Sequence, residues 1–516
     1  MAVSFNLGLS EAGMLANAVT VGNNRVTDKK FILKEIDDFK KSKKRTDMIT
    51  GEKYYMGLHD ILKRERMAIG EEGQLVKVEN LPNNRIVDNQ YKKMVDQKTN
   101  YLLGKPVTCQ SDNQSYSDAL KKVFNNKFQR LLKAIGEDSL NCGIAWMYVY
   151  YNDAGNIAFK RIKPYEVIPL WKDAEHTTLD GAIRVYEVIE LDKDNHESVV
   201  EKVEVYDANG VSFFEIKQGD LIPCEPFRQA YITVIDEEGI KEDYNWTNIP
   251  LIPFKYNSKE IPLIKMVKSL QDGLNIIESN FQNAMEEDPR NTILVLVNYD
   301  GENLGEFRRN LATYSAVKVR GGEGEGKGDL RSLTIEVNSE NYLAILNIFK
   351  KAIMENAMGY DAKDDILAGR PNQMNIISMY SDIDLDASNM ETEYQAGFEE
   401  LLFFINAYLS NDGIGDFDDE DVDIIFNRDM LICETEVIEN CVRSEGILSE
   451  ETIVAMHPWV DDVEAEIERI KKQRKENEQL YGNAYYTGSD IDKMAKTKVK
   501  DNSDNKEKDD NSGEQG

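Results

Sequence analysis

PLIKMVKSLQDGLNIIESNFQNAMEEDP, residues 262–289, carries Leu263, Val267, Leu270, Leu274, Ile277, Phe281 and Met285 at steps of 4, 3, 4, 3, 4 and 4. That spacing keeps one side of an α-helix apolar; Pro262 suits the entry and Pro289 stops it. At about 1.5 Å per residue, a helix over 261–287 is roughly 40 Å long. A second helix is predicted over 338–358, with Tyr342, Ile345, Phe349 and Ile353 in register. Between them the pattern gives a strand at 293–297, a helix at 304–311, and strands at 316–319 and 330–337. Two long helices thus bracket a compact αβ insert.

Downstream, a loop at 360–371 leads to a third helix over 372–409. Ile376, Met379, Ile383, Ala387, Met390, Tyr394, Phe398, Leu401, Ile405 and Tyr408 all fall on its apolar stripe. A turn and a strand at 422–426 follow, then helical sequence over 433–481 broken at His457-Pro458. The end, 488–516, has almost nothing apolar and is expected to be a disordered acidic tail. Upstream, 31–70, 83–104 and 116–140 read as helical. From Ala145 the period becomes two, through Trp146, Met147, Tyr148, Val149, Tyr150 and Tyr151. Turns at 153–156 and 207–210 punctuate strands at 183–191, 199–206 and 211–216, so 145–255 is a mainly antiparallel sheet. The fold class is α+β.

The 516 residues hold 62 basic and 93 acidic side chains, a formal charge of −31 and a pI near 4.7. Such a surface repels polyphosphate, which disfavours tight nucleic-acid binding. Cys109, Cys142, Cys224, Cys433 and Cys441 are odd in number and never C-x-x-C, as in a reducing compartment. His59, His176, His196 and His457 are scattered, so no zinc site is expected. The N-terminus lacks the basic start of a signal peptide. The longest strongly apolar run, 401–405, is far too short for a membrane span.

Motifs that suggest chemistry fail on inspection. Residues 321–327, GGEGEGK, fit the first seven places of a phosphate-binding loop, but Gly328 stands where Ser or Thr must ligate magnesium, and Glu323 and Glu325 oppose an anion. Asp416, Asp418, Asp419, Glu420, Asp421 and Asp423 suggest calcium, yet Asp421 and Asn427 occupy the Gly and Glu places of an EF-hand loop. A turn before a strand is the plainer reading. Lys40-Lys41-Ser42-Lys43-Lys44-Arg45 reads as a solvated helix face rather than a nucleic-acid patch. No catalytic residue, metal ligand or cofactor site is assigned. A soluble cation-dependent enzyme using 416–423 is the alternative from another class.

One ordered series stands out: GEKYYMGLHDI (51–61), NNRI (83–86), DQK (96–98), YLLGKPV (101–107), PLIPF (250–254), NYDGEN (298–303) and LSEET (448–452) before Pro458. In this order, over roughly 45–470, the chain resembles the portal proteins of tailed bacteriophages, in the branch of long-tailed phages of Gram-positive hosts. The resemblance implies a ring of about twelve subunits around a DNA channel at one capsid vertex. It implies an N-terminal arm (1–30), an α+β wing (31–258), a first stem helix (259–288), a small αβ clip (289–337) and a second stem helix (338–359). A tunnel loop (360–371), a long helix with a return strand to the wing (372–432) and a helical crown (433–487) complete it.

By the same resemblance, Asp361, Lys363, Asp364, Asp365, Arg370 and Asn372 belong to the channel loop, and Leu270, Leu274 and Ile277 to the stem contacts of the ring. The stem stripes look too narrow to be wholly buried within one subunit. Implied partners are further copies of the chain, double-stranded DNA held transiently and without sequence preference, and the terminase large subunit. Scaffolding and major capsid proteins and a head-completion adaptor protein are implied too, and no membrane. The implied place is the portal vertex of the virion, and host cytoplasm during assembly.

Overall fold

A computed structural model describes residues 28–69, 74–78, 81–191, 197–235, 241–287, 293–297, 329–333, 339–361, 373–428, 434–460 and 463–481. The predicted helix 304–311, the strand 316–319, the glycine-rich run 321–328 and the tail 488–516 lie outside the described residues. The chain divides into two units, Met1–Asp364 with Ser378–Met430, and Asp365–Ile377 with Leu431–Gly516. Blocks of helix and antiparallel sheet make it an α+β protein.

The first unit opens with α1 (Lys29–Lys41) and α2 (Lys43–Tyr55), not the single helical stretch expected to Gly70. Ser42 is the reason. Its side-chain oxygen accepts from Arg45 N at 3.1 Å while its own N–H donates to Phe39 O at 3.0 Å, so one residue closes α1 and caps α2. β1 (Met67–Ile69), where helix was expected, then forms a hairpin with β2 (Leu75–Lys77). The basic run around Ser42 is also not simply solvated: Lys40 pairs with Glu201, Lys44 with buried Glu260, and Arg45 Nε donates to Tyr165 O at 3.0 Å.

After α3 (Gln90–Leu103) and β3 (Thr108–Gln110), the predicted helix 116–140 is two, α4 (Gln114–Val123) and α5 (Asn126–Cys142). Asn125 breaks it, accepting from Lys127 N and Phe128 N at 2.9 and 3.3 Å as an N-cap. Gly143, at φ +85, reverses the chain where a Cβ would lie 2.1 Å from Glu260 O. β4 (Ile144–Tyr151) and β5 (Ile157–Ile162) follow. Next comes a five-stranded antiparallel meander of β6 (Val167–Trp171), β7 (Leu179–Leu191), β8 (Glu197–Asp207), β9 (Gly210–Lys217) and β10 (Asp220–Gln229). α1 buries Ile32, Ile36 and Phe39 on this sheet against Ile183, Val203, Val205 and Phe214. β11 (Ile232–Ile235) and β12 (Lys241–Tyr244) form a hairpin, and β13 (Leu251–Lys255) returns beside β4 with Leu251 opposite Tyr148.

α6 (Ile264–Glu287) starts just inside the predicted boundary. β14 (Ile293–Val297) pairs with β15 (Asp329–Leu333), and α7 (Ser339–Asn356) follows. Phe281 meets Tyr342 at 4.8 Å, while Gly273 admits Phe349, so α6 and α7 run antiparallel. The 39-residue α8 (Gln373–Asn411) matches the long helix expected, and β16 (Asp423–Ile425) pairs with β3. In the second unit, α9 (Glu434–Arg443), α10 (Glu450–Ala455) and α11 (Val463–Tyr481) are held by an Arg474–Glu450 pair and a Ser449 N-cap.

Residues 83–89 are the largest departure. They were expected to start a helix; instead they run extended along α6, held by a buried row of polar side chains one helical repeat apart. Asn283 Oδ1 accepts from Asn84 N at 2.7 Å, Ser279 Oγ from Ile86 N at 2.9 Å, and Asn275 Oδ1 from Asp88 N at 3.1 Å. Gln271 completes the row, accepting from Tyr91 N at 3.0 Å and donating to Asp88 O at 2.7 Å. Asn275 Nδ2 also meets His59 Nδ1 at 2.7 Å, and the His59 ring stacks on Tyr54.

One buried carboxyl in this unit lacks a good partner. Asp138 Oδ2 has no hydrogen bond, and Arg161 Nε stands 3.4 Å away. Burial outweighs that cation and pushes the carboxyl up to about 7. Its folded value exceeds its unfolded one, so its charge costs nothing at about pH 4 and progressively more up to pH 7. Asp138→Asn is therefore expected to be more stable than the wild type by on the order of 2–4 kcal/mol at about pH 8. That margin should vanish near pH 4, as read by urea unfolding; a margin independent of pH would show that Asp138 does not titrate there.

Candidate functional site

The end of α7 meets α3 and α8 at Tyr360, the root from which the loop expected from the sequence starts. Gly359 N donates back to Met354 O at 2.9 Å, and a Cβ on Gly359 would lie 2.6 Å from Met94 Sδ. Only glycine passes α3 that closely. Gln97 then grips the next residue by both backbone groups: its Oε1 accepts from Tyr360 N at 3.1 Å and its Nε2 donates to Tyr360 O at 2.9 Å. This is the bonding that a neighbouring strand would supply, delivered by one amide. The Tyr360 ring packs on Tyr380 of α8 at 4.4 Å, and Tyr101 stacks on Tyr380 at 5.8 Å.

Beneath that root lies a buried ion pair. Lys98 Nζ sits 2.6 Å from Asp386 Oδ2 and also reaches Met358 O at 3.4 Å. Asp386 Oδ1 accepts from Tyr256 OH at 2.8 Å. Burial drives the Lys98 amine below its ordinary value, and Asp386 opposes that. One cluster therefore ties α3, α7, α8 and the segment after β13 together.

Of the loop residues named from the sequence, Asp361 is placed, with Oδ1 4.0 Å from Lys93 Nζ. Lys363, Asp364, Asp365, Arg370 and Asn372 lie outside the described residues. Of the stem residues, Leu270 and Ile277 are half-buried, but Leu274 is wholly buried in the chain's own core. Leu274 is therefore covered within one subunit, whereas the stripes as a whole were expected to be covered only in part. Met285 and Ile345 of the predicted stripes are exposed, as are Met266 and Ile276 on α6 and Leu343 and Ile348 on α7.

Asp416, Asp418, Asp419, Glu420 and Asp421 stand exposed before β16, and Asp423 opens it, also exposed; Asp418 N donates to Asp416 Oδ1 at 3.3 Å and Asn113 Nδ2 to Glu420 Oε1 at 2.9 Å. Among the described residues, no three His, Cys, Asp or Glu side chains converge as metal ligands, and no helix is long and apolar enough to cross a membrane. Cys109, Cys142 and Cys441 are buried thiols, Cys224 is half-buried, and Cys433 lies outside the described residues.

A family model described as "Phage portal protein, SPP1 Gp6-like" matches residues 34–480. The chain belongs to that family. Two portal proteins are similar over most of their length. That of Bacillus phage SPP1 is 28% identical over 443 residues, covering 84% of this chain and 85% of that one. That of Clostridium phage phiCD119 is 26% identical over 446 residues, covering 84% and 93%. A solved structure, "Neck of native GTA particle computed with C12 symmetry", aligns with a TM-score of 0.37 at 11% identity, over 71% of this chain and 88% of that one. Nothing about this chain rests on so distant a superposition.

A portal protein is a structural component of the virion's head-to-tail connector, and both relatives come from phages of Gram-positive hosts, the branch to which the ordered motifs pointed. In the portal protein several of those motifs meet at the geometry above. Gly51 lets α2 touch α5, where a Cβ would lie 2.0 Å from Asn141 O. Tyr54 OH donates to Asp272 Oδ1 of α6 at 2.5 Å. Residues 83–86 begin the strap, and Gln97 and Lys98 hold the loop root. The triplet DQK was visible in the sequence, but its role was not, because the partners of Gln97 and Lys98 lie more than 250 residues away. Residues 298–303 fall outside the described residues.

Proposed function

We propose that this portal protein forms a ring of about twelve copies whose channel passes double-stranded DNA during packaging and ejection. In this reading 31–258 is the wing, 259–288 and 338–359 the stem, 289–337 the clip, 360–371 the tunnel loop and 433–487 the crown. The observation that supports the ring is the exposed apolar surface of the antiparallel pair α6 and α7, at Ile276, Leu343 and Ile348. A neighbouring copy is the natural cover for it. A net charge of −31 suits a conduit, since DNA slides past acidic walls without the counterion release that tight binding requires. The terminase large subunit would dock on the clip and supply the energy. Scaffolding and major capsid proteins would engage the ring during assembly, and a head-completion adaptor afterwards.

Light scattering of the purified chain tests this. The expected particle is about twelve times the 58.9 kDa chain mass. Ile348→Asp should give folded, smaller species, because a charge would be buried unpaired at each contact. A wild-type protein that stays monomeric across concentration and salt overturns the ring.

A further inference from the structure

Residues 89–136 contain nine Lys and Arg against three Asp and Glu, inside a chain whose net charge is −31. One of the nine, Lys98, is buried on Asp386; the others lie on or between α3, α4 and α5. Contacts join α3 and α5 into one surface, and Asn125 Nδ2, donating to Lys122 O at 3.1 Å, ties the end of α4 to the cap of α5. Lys133 Nζ donates to Asn100 Oδ1 at 2.6 Å, and the Gln129 amide donates to Leu103 O and Lys105 O, both at 3.1 Å. The acidic residues neutralise it only in part: Asp96 is shared by Lys92 at 3.3 Å and Tyr55 OH at 2.8 Å, Asp118 faces Lys121 at 3.8 Å, and Glu137 of α5 lies among Lys92, Lys133 and Arg161. Lys122, Lys127 and Arg130 are exposed and, among the described residues, have no carboxylate partner. Lys127, Arg130 and Lys133 recur every third residue along α5, over about 9 Å, and the stretch from Lys92 on α3 to Lys105, just past its end, covers about 20 Å.

We propose that this face of α3, α4 and α5 is a contact surface for the phosphate backbone of double-stranded DNA. The choice of DNA rests on the channel reading above. Duplex DNA carries one charge per about 1.7 Å of axis, so a 20 Å stretch holds about a dozen phosphates over both strands, of which roughly half face one side. The surface begins beside the loop root, where Lys93 meets Asp361 and where Asn89, Lys92, Asn100 and Tyr101 line a cleft of about 560 Å³. It ends near the acidic turn, which Asn113 and the β3–β16 pairing hold at its far edge. A basic strip with an acidic border grips a polyanion over a short footprint and releases it readily, as a conduit needs.

The test uses the full-length chain and a fluorescent random-sequence duplex of about 30 bp, titrated between about 50 and 200 mM NaCl, with particle size measured in parallel. Combining Lys122→Ala, Lys127→Ala and Arg130→Ala removes three exposed cations and leaves every buried contact in place. Affinity at about 50 mM NaCl should fall at least tenfold, and the slope of log K against log salt should become shallower by about 3. A triple variant with wild-type affinity and slope overturns the proposal. So does a variant that loses ring assembly yet keeps duplex binding, since the surface would then join copies of the chain. Wild-type rings with no salt-dependent duplex binding overturn it too. A slope change in a chain that never forms rings supports the surface and counts against the ring alone.

Discussion

Replacing Lys98 with alanine is expected to cost on the order of 3–5 kcal/mol of stability, among the largest effects available in this chain. The lysine side chain is 2% exposed and its amine lies 2.6 Å from Asp386. Removing it strands a carboxylate in the interior with the Tyr256 hydroxyl as its remaining bonded partner, at 2.8 Å. Losing one member of such a pair is costly because the survivor's desolvation is no longer offset, whereas losing both need not be. Lys98→Met with Asp386→Leu should therefore recover most of the loss, within about 1–2 kcal/mol of the wild type. Urea unfolding at one protein concentration reads both, with concentration fixed because assembly adds to apparent stability. A single variant shifted no further than an ordinary surface change, about 0.5 kcal/mol, would refute the account.

Glu260→Gln is expected to be similarly damaging, and its pH dependence has a definite sign. The Glu260 carboxylate, 3% exposed, lies between Lys44, His176 Nδ1 at 2.8 Å and Lys255 Nζ at 3.8 Å. Burial alone would raise its pKa, but Lys44 and His176 outweigh that and hold it down at about 2. Lys255 Nζ also donates to His176 O at 3.0 Å, and Trp171 stacks on the His176 ring, so one carboxylate gathers α2, the β6–β7 turn, β13 and the approach to α6. Both Glu260 and His176 hold left-handed backbone, φ +53 and +58, which the surrounding bonds must stabilise. An uncharged glutamine leaves the cations facing one another, at a cost on the order of 3–5 kcal/mol near pH 7. Because the folded value lies below the unfolded one, about 4.5, the carboxylate's contribution is complete above that pH and is lost as pH falls towards 2. The gap between wild type and variant should be wide at about pH 7 and narrower at about pH 3.5; a constant gap would place its origin in packing.

What the sequence discloses follows from how far each determinant reaches. α8 was legible over its whole length because ten apolar residues keep one phase, and α6 because its stripe and flanking prolines agree. Breaks inside helical stretches were less visible: Ser42 and Asn125 each cap a new helix, but an isolated polar residue in helical sequence looks like solvent face. The strap failed for a physical reason. Ile86 falls in phase with Met94, so the stretch mimics a helix, while the surface that straightens it is a polar row on α6 nearly 190 residues away. Gln271, Asn275, Ser279 and Asn283 have the spacing of a core face, yet hydropathy assigns them to water. The loop root was located in the chain but not explained, since Gln97–Tyr360 and Lys98–Asp386 exist only once the fold has joined them.

The strap and its helix work as a vernier. Four residues of helix advance about 6.0 Å, and two residues of extended chain about 6.6 Å, so successive rungs nearly coincide and drift by roughly half an ångström each. All three N–H bonds, at 2.7, 2.9 and 3.1 Å from Asn84 to Asp88, stay within normal length, so side-chain reach absorbs the drift over this span. Two unequal rulers agree only over a short span, so the gripped length of α6 is limited by the two periods, and beyond Asn283 the backbone bond gives way to a side-chain one, Asn84 Nδ2 donating to Glu286 Oε1 at 3.0 Å. The same arithmetic sorts length changes. Two residues added to the strap bring the next inward-facing N–H to the same oxygen; one residue turns every N–H away from the helix at once.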